Sequence, residues 1–384
     1  MKIGILTQPL YCNYGGILQC FALQHTLQRI GHETCVIRRE WNRQYTITGA
    51  CKYYAKVIVK KIIGRKCSWH YYVSQAKRDY IARDTGKFID RCINPRSRQC
   101  YTTEQLHAEA DRWQFDAIIV GSDQVWRPEY SPCLPNYFLD FLPLDSNVKR
   151  ISYAASFGLD DWTAWSPNMT STCAMLLRRF DAISVRESSA IRLCKEHFMV
   201  DAVHVLDPTM LLDKDDYLAI IQQPTCKRGD LFCYVLDKSD DMQRIINCIA
   251  QKTGMTPFQS MPELDDSTYN LYGEIDKSVY PPVENWISAF VEAEMIVTDS
   301  FHGAAFSIIF NKPFWVVGNK GRGMARFETL LAMFGLENRM INNHTVSSID
   351  IYSKIDWASV NANRKKLQTS SLDFIHKSLC ENTK

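Results

Sequence analysis

The chain has 384 residues, 46% of them hydrophobic, which is enough for two α/β domains that each bury a core. Its 45 basic and 42 acidic residues leave a formal net charge of +3, a balance that argues against general nucleic-acid binding. An anionic ligand must therefore be bound by a local group of cations. The 14 cysteines include no Cys-x-x-Cys pair and no zinc-like cluster, so we expect reduced, packed thiols.

The N-terminal apolar segment is too short for a signal peptide. Lys2 alone precedes it, and Gln8 and Pro9 interrupt it early. No segment approaches the roughly 18 to 20 apolar residues of a membrane-spanning helix. We therefore expect a cytoplasmic protein in which the Asn-x-Thr sequons at Asn168 and Asn343 are incidental.

The chain opens with the pattern of a parallel α/β domain. A short apolar strand at 3–6 precedes a Gly-containing loop at 7–16, and apolar residues then recur at helical spacing over 17–30, before Gly31. Apolar runs at 117–120 and 182–185 also end in polar residues. Continuous apolar strands of this kind are typical of a parallel sheet that is covered on both faces.

A second series of apolar runs, at 203–206, 232–236 and 295–297, predicts a second sheet. We therefore predict an α/β protein with two Rossmann-like domains, over residues 1–198 and 199–356. The remaining segment, 357–384, is predicted to be a helix that packs back on the first domain.

The segment 51–70 combines basic and apolar residues in the pattern of an amphipathic helix. Its cations are Lys52, Lys56, Lys60, Lys61, Arg65 and Lys66. A solvated face on a surface helix explains this pattern. The alternative is a peripheral contact between residues 51–66 and the anionic headgroups of a membrane.

Ligands of open α/β sheets collect at the carboxyl ends of the strands, so polar residues after each apolar run are candidates. The first such loop contains Asn13, Tyr14, Gly15 and Gly16. Its glycines let backbone approach a ligand, and the N-terminus of the next helix offers unpaired N–H groups to an anion. The loop lacks the G-x-G-x-x-G fingerprint of dinucleotide oxidoreductases, and a tight turn is an equal alternative.

The strongest local motif is Asp-Ser-Phe-His-Gly at 299–303, between the run at 295–297 and an apolar helix candidate at 304–310. His302 is thereby predicted to lie at a helix N-terminus, which disfavours the imidazolium form and leaves the ring available as a base. Its neighbours Asp299, Ser300 and Gly303 favour a functional role over a structural one.

Cations and a carboxylate follow other predicted strands. Arg186 comes directly after the run at 182–185, where its guanidinium can hold a carboxylate or phosphate, or can pair with a neighbouring acid. Lys320, Arg322 and Arg326 follow a strand candidate at 314–317 and suggest either an anion-binding loop or a solvated surface. Asp123 can bind sugar hydroxyls, although capping of the following turn is the favoured role.

Taken in order, these motifs resemble the polysaccharide pyruvyl transferase family over nearly the whole chain. The matching stretches are 13–16, 18–19, 22–23, 116–126, 151–158, 184–187, 206–209 and 299–303. The resemblance implies a GT-B-like fold with the active site in the interdomain cleft. It also implies phosphoenolpyruvate as donor, a sugar with two nearby hydroxyls as acceptor, and no metal or other cofactor.

Site roles carried over from the resemblance follow the same motifs. Arg186 matches the arginine that binds the donor, and His302 matches the histidine near the reacting carbon, with Lys320 or Arg322 as a second cation. Residues 13–16 match the loop that faces the cleft on the acceptor side. The implied product is a pyruvate ketal on a surface polysaccharide, such as a capsule or exopolysaccharide, or on its lipid-linked precursor.

Two other functions remain open at this point. The same two-domain architecture also serves GT-B glycosyltransferases that use nucleotide-sugars. A non-catalytic carbohydrate-binding relative is the third interpretation, against which the presence of Arg186 and His302 argues through the resemblance.

Overall fold

The structure is a computed structural model that describes residues 1–43, 45–63, 73–160, 162, 165–221, 227–264, 274–318 and 324–380. Its first sheet consists of β1 (Lys2–Leu6), β2 (Glu33–Arg39), β3 (Arg96–Cys100), β4 (Ala117–Val120), β5 (Lys149–Ala155), β6 (Ala182–Val185) and β7 (Val203–His204), in the order β3-β2-β1-β4-β5-β6-β7. The second consists of β8 (Leu231–Tyr234), β9 (Pro257–Phe258), β10 (Met295–Thr298), β11 (Phe314–Val317) and β12 (Met340–Ile341), in the order β12-β11-β10-β8-β9.

Helices cover both sheets. They are α1 (Tyr14–Arg29), α2 (Ile47–Ile62), α3 (Gln75–Ile81), α4 (Arg83–Cys92), α5 (Thr103–Trp113), α6 (Pro167–Leu177), α7 (Ser188–Leu193), α8 (Lys214–Leu218), α9 (Asp240–Thr253), α10 (Val283–Glu292), α11 (Phe301–Ile309), α12 (Ala325–Phe334) and α13 (Trp357–Cys380). Within the described ranges, none of these helices is long and apolar enough to cross a bilayer.

All strand pairs in the two sheets are parallel, which confirms the predicted fold class. The apolar runs at 117–120, 182–185 and 314–317 form strands with those bounds. Every residue of β4 and β11 is buried, because helices cover both faces of each sheet.

The run at 203–206 does not open the second sheet, as the sequence suggested. Its first two residues form β7, which pairs with β6 through Ser184 with Val203 and Val185 with His204. The strand then ends, and the N–H of Leu206 donates to the Ser371 hydroxyl of α13 at 3.0 Å. The first sheet therefore extends past residue 198, and the second sheet begins at β8.

The C-terminal helix α13 runs back across the first domain. The Lys149 ammonium donates to the Leu379 carbonyl at 2.8 Å, and the rings of Tyr153 and Phe374 lie 6.4 Å apart. One hydrophobic cluster contains residues of both domains and of α13, among them Ile17, Phe306 and Ile375. Packing of this kind fixes how the two domains face each other.

Candidate active site in the interdomain cleft

A cavity of about 1280 Å³ lies between the two sheets. Its walls come from the loops after β1, β2 and β4 in the first domain and from the loops after β8 and β10 in the second. The lining includes Asn13, Tyr14, Asp123, Ser300, His302 and Arg326. Predicted site residues that lie far apart in the sequence therefore line one cleft between the domains.

His302 is the second residue of α11, which begins three residues before its predicted start. The imidazole is almost buried and packs against Gly15 of α1, where an added Cβ would lie 2.0 Å from Nδ1. Gly303 is needed for a similar reason, because an added Cβ at this position would lie 2.2 Å from the Thr298 hydroxyl. Gly15 thus allows the N-termini of α1 and α11 to approach each other closely, and Gly303 lets α11 pack against the end of β10.

Asp207 connects the histidine to the first domain. Its Oδ2 lies 3.7 Å from His302 Nε2, accepts a hydrogen bond from Arg186 Nη1 at 3.1 Å and accepts another from Ser122 at 3.0 Å. Oδ1 accepts from the N–H and the hydroxyl of Thr209. Burial acts to raise the pKa of Asp207, but His302, Arg186 and Thr209 outweigh it and hold that pKa well below its usual range.

An ionised carboxylate beside Nε2 affects the chemistry of the ring. It favours the tautomer with the proton on Nε2, which leaves Nδ1 of His302 to accept or deliver a proton. Asp207 Oδ2 faces the nitrogen from inside the protein at 3.7 Å, which is longer than a hydrogen bond, whereas His302 itself lines the cavity. The pair therefore has the order of a base and its orienting acid without a hydrogen bond between them.

Arg186 lies behind the cavity wall. Its side chain is 1% exposed, and Nη2 donates to Asp123 at 3.3 Å while Nη1 is bonded to Asp207. Glu187 lies 4.0 Å from Nε, and the guanidinium stacks on the Phe301 ring at 4.5 Å. Arg186 does not belong to the described residues that line the cavity. The arginine holds two carboxylates in place, and its contact with a donor stays a prediction.

Asp123 and Asn13 join the first two loops of the cleft. Asn13 is the N-cap residue of α1, and its Nδ2 donates to Asp123 Oδ2 at 3.3 Å. Gly16 leaves room for this amide, because an added Cβ would lie 2.9 Å from Asn13 Nδ2. The side chain of Asp123 therefore turns towards Asn13 and Arg186, although it also lines the cavity.

Tyr14 holds the first domain against the second, and Ser300 and Asp299 shape the second-domain side of the cleft. The Tyr14 hydroxyl donates to the Pro281 carbonyl at 2.8 Å, and its ring stacks on Trp286 at 5.7 Å. Ser300 is the N-cap residue of α11 and lines the cavity. Asp299 accepts hydrogen bonds from the N–H groups of Leu236 and Asp237, which joins the loops after β8 and β10. Substrate contacts of Tyr14 and Ser300 stay predictions.

Among the described residues of the second domain, Arg326 is the Lys or Arg side chain that lines the cavity. The sequence pointed more strongly to Lys320 and Arg322, which lie outside the described residues. Arg326 is 8% exposed; burial, followed by the charge of Arg186, lowers its pKa to about 10. Its signal in the sequence is helical spacing with Leu330, a buried apolar residue one turn later in α12. Asp207 also escaped notice as a site residue, although it belongs to the matching stretch at 206–209.

Comparison with known proteins agrees with this architecture. UGT89C1 of Arabidopsis thaliana, solved with UDP-L-rhamnose, has a TM-score of 0.50 at 9% identity over 99% of each chain. The UDP-GlcNAc 2-epimerase of Methanocaldococcus jannaschii has a TM-score of 0.49 at 11% identity, over 98% of this chain and 100% of that chain. The likeness to the Arabidopsis protein shows a GT-B fold.

Sequence comparison is more specific. No curated protein sequence matches the chain significantly. The sequence model of one family, described as polysaccharide pyruvyl transferase, matches residues 13–321. That range begins at Asn13 and includes Arg186, Asp207 and His302, whereas Arg326 lies just beyond its end. The chain belongs to the polysaccharide pyruvyl transferase family.

Proposed function

We propose that this protein transfers a pyruvyl group from phosphoenolpyruvate to a saccharide of a cell-surface polysaccharide or of its lipid-linked precursor. The products are a cyclic pyruvate ketal and phosphate. The observation that carries the proposal is the pairing of His302 with ionised Asp207 at a cavity that Arg326 also lines. Family membership supplies the reaction class.

The donor is bound where the two domains meet. Phosphoenolpyruvate carries a carboxylate and a phosphate, so its site needs more than one anion-binding group. The N-termini of α1 and α11 meet at the contact between Gly15 and His302 and provide partial positive charge with unpaired N–H groups. Arg326 supplies a full charge and a planar fork that matches either anion.

The reaction proceeds in two additions at C2 of phosphoenolpyruvate. The oxygen of the first hydroxyl bonds to C2, its proton passes to a base, and C3 takes up a proton, which leaves a tetrahedral carbon that still carries phosphate. The oxygen of the second hydroxyl then bonds to C2, the C2–O bond to phosphate breaks, and the hydroxyl proton is taken by a base. His302 Nδ1 serves these proton transfers, a role worth roughly 10²- to 10⁴-fold in rate.

Arg186 takes part in this scheme as a positioning residue. Its guanidinium holds Asp207 beside His302 and Asp123 beside Asn13. The same charge lowers the pKa of Asp207, which keeps the orienting carboxylate ionised. Arg186 therefore acts on the donor through the groups that it holds.

The acceptor occupies the rest of the cavity. The cavity volume, about 1280 Å³, exceeds the roughly 300 to 1,000 Å³ typical of a pocket for one small ligand, so the cavity has room for a donor and a saccharide. Trp41, Tyr101 and Tyr130 line it from the first domain, and the two tyrosines are 39% and 40% exposed. Their ring faces offer apolar surface to the C–H face of a sugar.

We further propose that α2 contacts the membrane that carries a lipid-linked acceptor. The helix begins soon after Arg43, which lines the cavity. Among its large apolar side chains, Ile47 and Ile62 are 76% and 78% exposed. Lys60 and Lys61 precede Ile62, as in helices that lie in a lipid interface. Arg65 and Lys66, the last cations of this segment, lie outside the described residues.

The experiment that tests the reaction incubates purified protein with phosphoenolpyruvate and a panel of synthetic and lipid-linked glycosides. Mass spectrometry should find a pyruvate ketal on one glycoside, with phosphate released in equal amount. His302→Ala should lose this activity, whereas His344→Ala, at an exposed position of the second domain, should keep it. Wild-type phosphate release in His302→Ala would remove the histidine from the mechanism. Protection of the fold by uridine or guanosine diphosphate, without protection by phosphoenolpyruvate, would instead favour a nucleotide-sugar enzyme.

A further inference from the structure

Four arginines of the first domain surround a single carboxylate in the cavity wall. Arg38, Arg39 and Arg43 come from the end of β2 and the loop after it, and Arg78 comes from α3. Burial raises the pKa of Glu40 above its ordinary value, and the charges of Arg38, Arg78, Arg43 and Arg39 act in the opposite direction. One carboxylate cannot neutralise four guanidinium groups, so the Glu40 arginine cluster has an excess of positive charge.

Among the described residues that line the cavity, the other carboxylates offset this excess only in part. Asp90 pairs with Arg96, and Glu129 pairs with Arg127 at 3.4 Å. Asp79 accepts a hydrogen bond from the Gln75 amide at 2.7 Å, and its charge offsets only part of the cluster. A local cationic site therefore remains in a chain whose overall charge is nearly balanced.

Three members of the cluster are accessible from the cavity. Arg39 is buried and bonds to Asn136 at 2.7 Å, so it serves the fold. Arg38, Arg43 and Arg78 are partly or fully exposed. Aromatic rings support two of them: Arg43 lies over Trp41 at 5.6 Å and Arg78 over Tyr11 at 4.7 Å. A guanidinium that stacks through its face presents its N–H groups at its edge, which suits Arg78 to binding an anion.

The cluster and the donor-binding residues belong to different elements of the cavity wall. His302 and Arg326 are carried by α11 and α12 of the second domain, whereas the cluster is carried by β2, the loop after it and α3 of the first. We propose that Arg38 and Arg78, with the charge of Arg43 beside them, bind a phosphate or diphosphate ester on the acceptor, so that the cavity holds two anions at once. The identity of this ligand as the acceptor rests on the proposed function, whereas the binding of the anion does not.

Guanidinium groups suit this ligand because each can donate two parallel hydrogen bonds to a phosphate. A diphosphate carries enough charge to engage several of them. A sugar diphosphate can be attached either to a prenyl lipid or to a nucleoside, and both share the group that the cluster would recognise. The saccharide would then extend from the cluster towards His302, past the aromatic residues of the same wall.

Calorimetric titration of the full chain with inorganic pyrophosphate and with phosphoenolpyruvate tests the site. Arg38→Gln combined with Arg78→Gln should weaken pyrophosphate binding at least about tenfold and leave phosphoenolpyruvate binding within about twofold. Arg326→Gln should do the reverse. The matched control is Arg83→Gln combined with Lys87→Gln, which line the same cavity but pair with Asp84.

The outcomes separate this site from the reaction. Unchanged pyrophosphate affinity in the Arg38 and Arg78 double variant, or an equal loss in the control, overturns the proposal even if a ketal is formed. Selective loss supports it even if no ketal is found. Competition against pyrophosphate then identifies the source: a farnesyl-diphosphate-linked disaccharide that competes where UDP-glucose does not indicates a lipid-linked acceptor. Competition by UDP-glucose indicates a nucleotide-linked one, and competition by neither contradicts a diphosphate ester.

Discussion

Gly15 and His302 belong to different domains and are in direct contact. An added Cβ on Gly15 would lie 2.0 Å from Nδ1 and 2.3 Å from Cγ of the imidazole. Real Cβ atoms do not approach other heavy atoms this closely, so any side chain at residue 15 must displace the ring. The first helix of the chain thereby fixes the position of a histidine that the second sheet supplies.

Replacement of Gly15 by alanine should therefore impair catalysis without unfolding the protein. We expect Gly15→Ala to lower the rate of phosphate release by at least about tenfold, because displacement forfeits part of the histidine's contribution. Gly86→Ala in α4 is the matched control, since nothing lies within 4 Å of its added Cβ. That control should keep its activity and gain about 0.5 to 1 kcal/mol in free energy of unfolding. A wild-type rate in Gly15→Ala would contradict the contact.

Asp207→Asn tests whether the carboxylate orients His302. An amide of the same shape keeps the volume but loses the charge that favours the proton on Nε2. We expect kcat to fall by roughly 10- to 100-fold. KM for phosphoenolpyruvate should change little, because Asp207 is not among the described residues that line the cavity. Steady-state kinetics with the donor varied separates the two constants. A change confined to KM would show that Asp207 serves donor binding instead.

The fold could be predicted from the sequence wherever strands are buried on both faces. The residues of β4 and β11 form continuous apolar runs, β6 is apolar apart from Ser184, and polar residues, proline or glycine bound all three. The strand β7 could not be assigned in this way, because only two residues pair and their partner is set by distant contacts. The bond from Leu206 to Ser371 spans 165 residues, and no local pattern reveals it.

In the candidate site, too, local sequence patterns revealed some residues, and contacts between distant residues determine the others. His302 was found because a motif at the end of a strand marks it. The environment of Arg186 was not found, since Asp123 and Asp207 lie 63 and 21 residues away in the sequence and converge only in the folded chain. The burial of Arg326 could have been predicted, because it lies one helical turn before the buried Leu330. The neighbouring glycines instead suggested an anion-binding loop or a solvated surface.

Loss of the Arg186 charge should destabilise the protein strongly. Arg186→Met removes the shared partner of Asp123 and Asp207 and leaves two buried carboxylates without it, which should cost about 3 to 5 kcal/mol in free energy of unfolding. Arg192→Met is the control, because that arginine pairs with Glu196 on the surface and should matter by about 0 to 1 kcal/mol. Urea denaturation measures both values. Equal effects would mean that the buried pairing contributes nothing specific.

Acid should remove the contribution of Asp207 to stability in a defined direction. Its pKa in the folded protein is held below the unfolded value by His302, Arg186 and Thr209, against the effect of burial. The stabilisation is therefore complete above the unfolded pKa of about 3.9 and is lost as pH falls through the folded value. The difference in free energy of unfolding between wild type and Asp207→Asn should shrink as pH is lowered from about 5 towards 2. The exposed Asp215→Asn is the control and should differ little from wild type at any pH. A difference that grows on acidification would show that the carboxyl is protonated at neutral pH.

The exposed face of α2 predicts binding to anionic membranes. Lys52, Lys56 and Lys60 are spaced one helical turn apart beside exposed apolar side chains such as Ile58, which is 49% exposed. In liposome flotation the wild type should prefer vesicles with anionic lipid, and salt should weaken the association. Reversing two charges, Lys56→Glu with Lys60→Glu, should lower binding by at least about tenfold, since each basic residue contributes about 1 kcal/mol near such a surface. The same reversal at the exposed Lys365 and Lys366 of α13 should leave flotation unchanged. Equal binding to neutral and anionic vesicles would leave α2 as a solvated surface helix, or as a face for a protein partner.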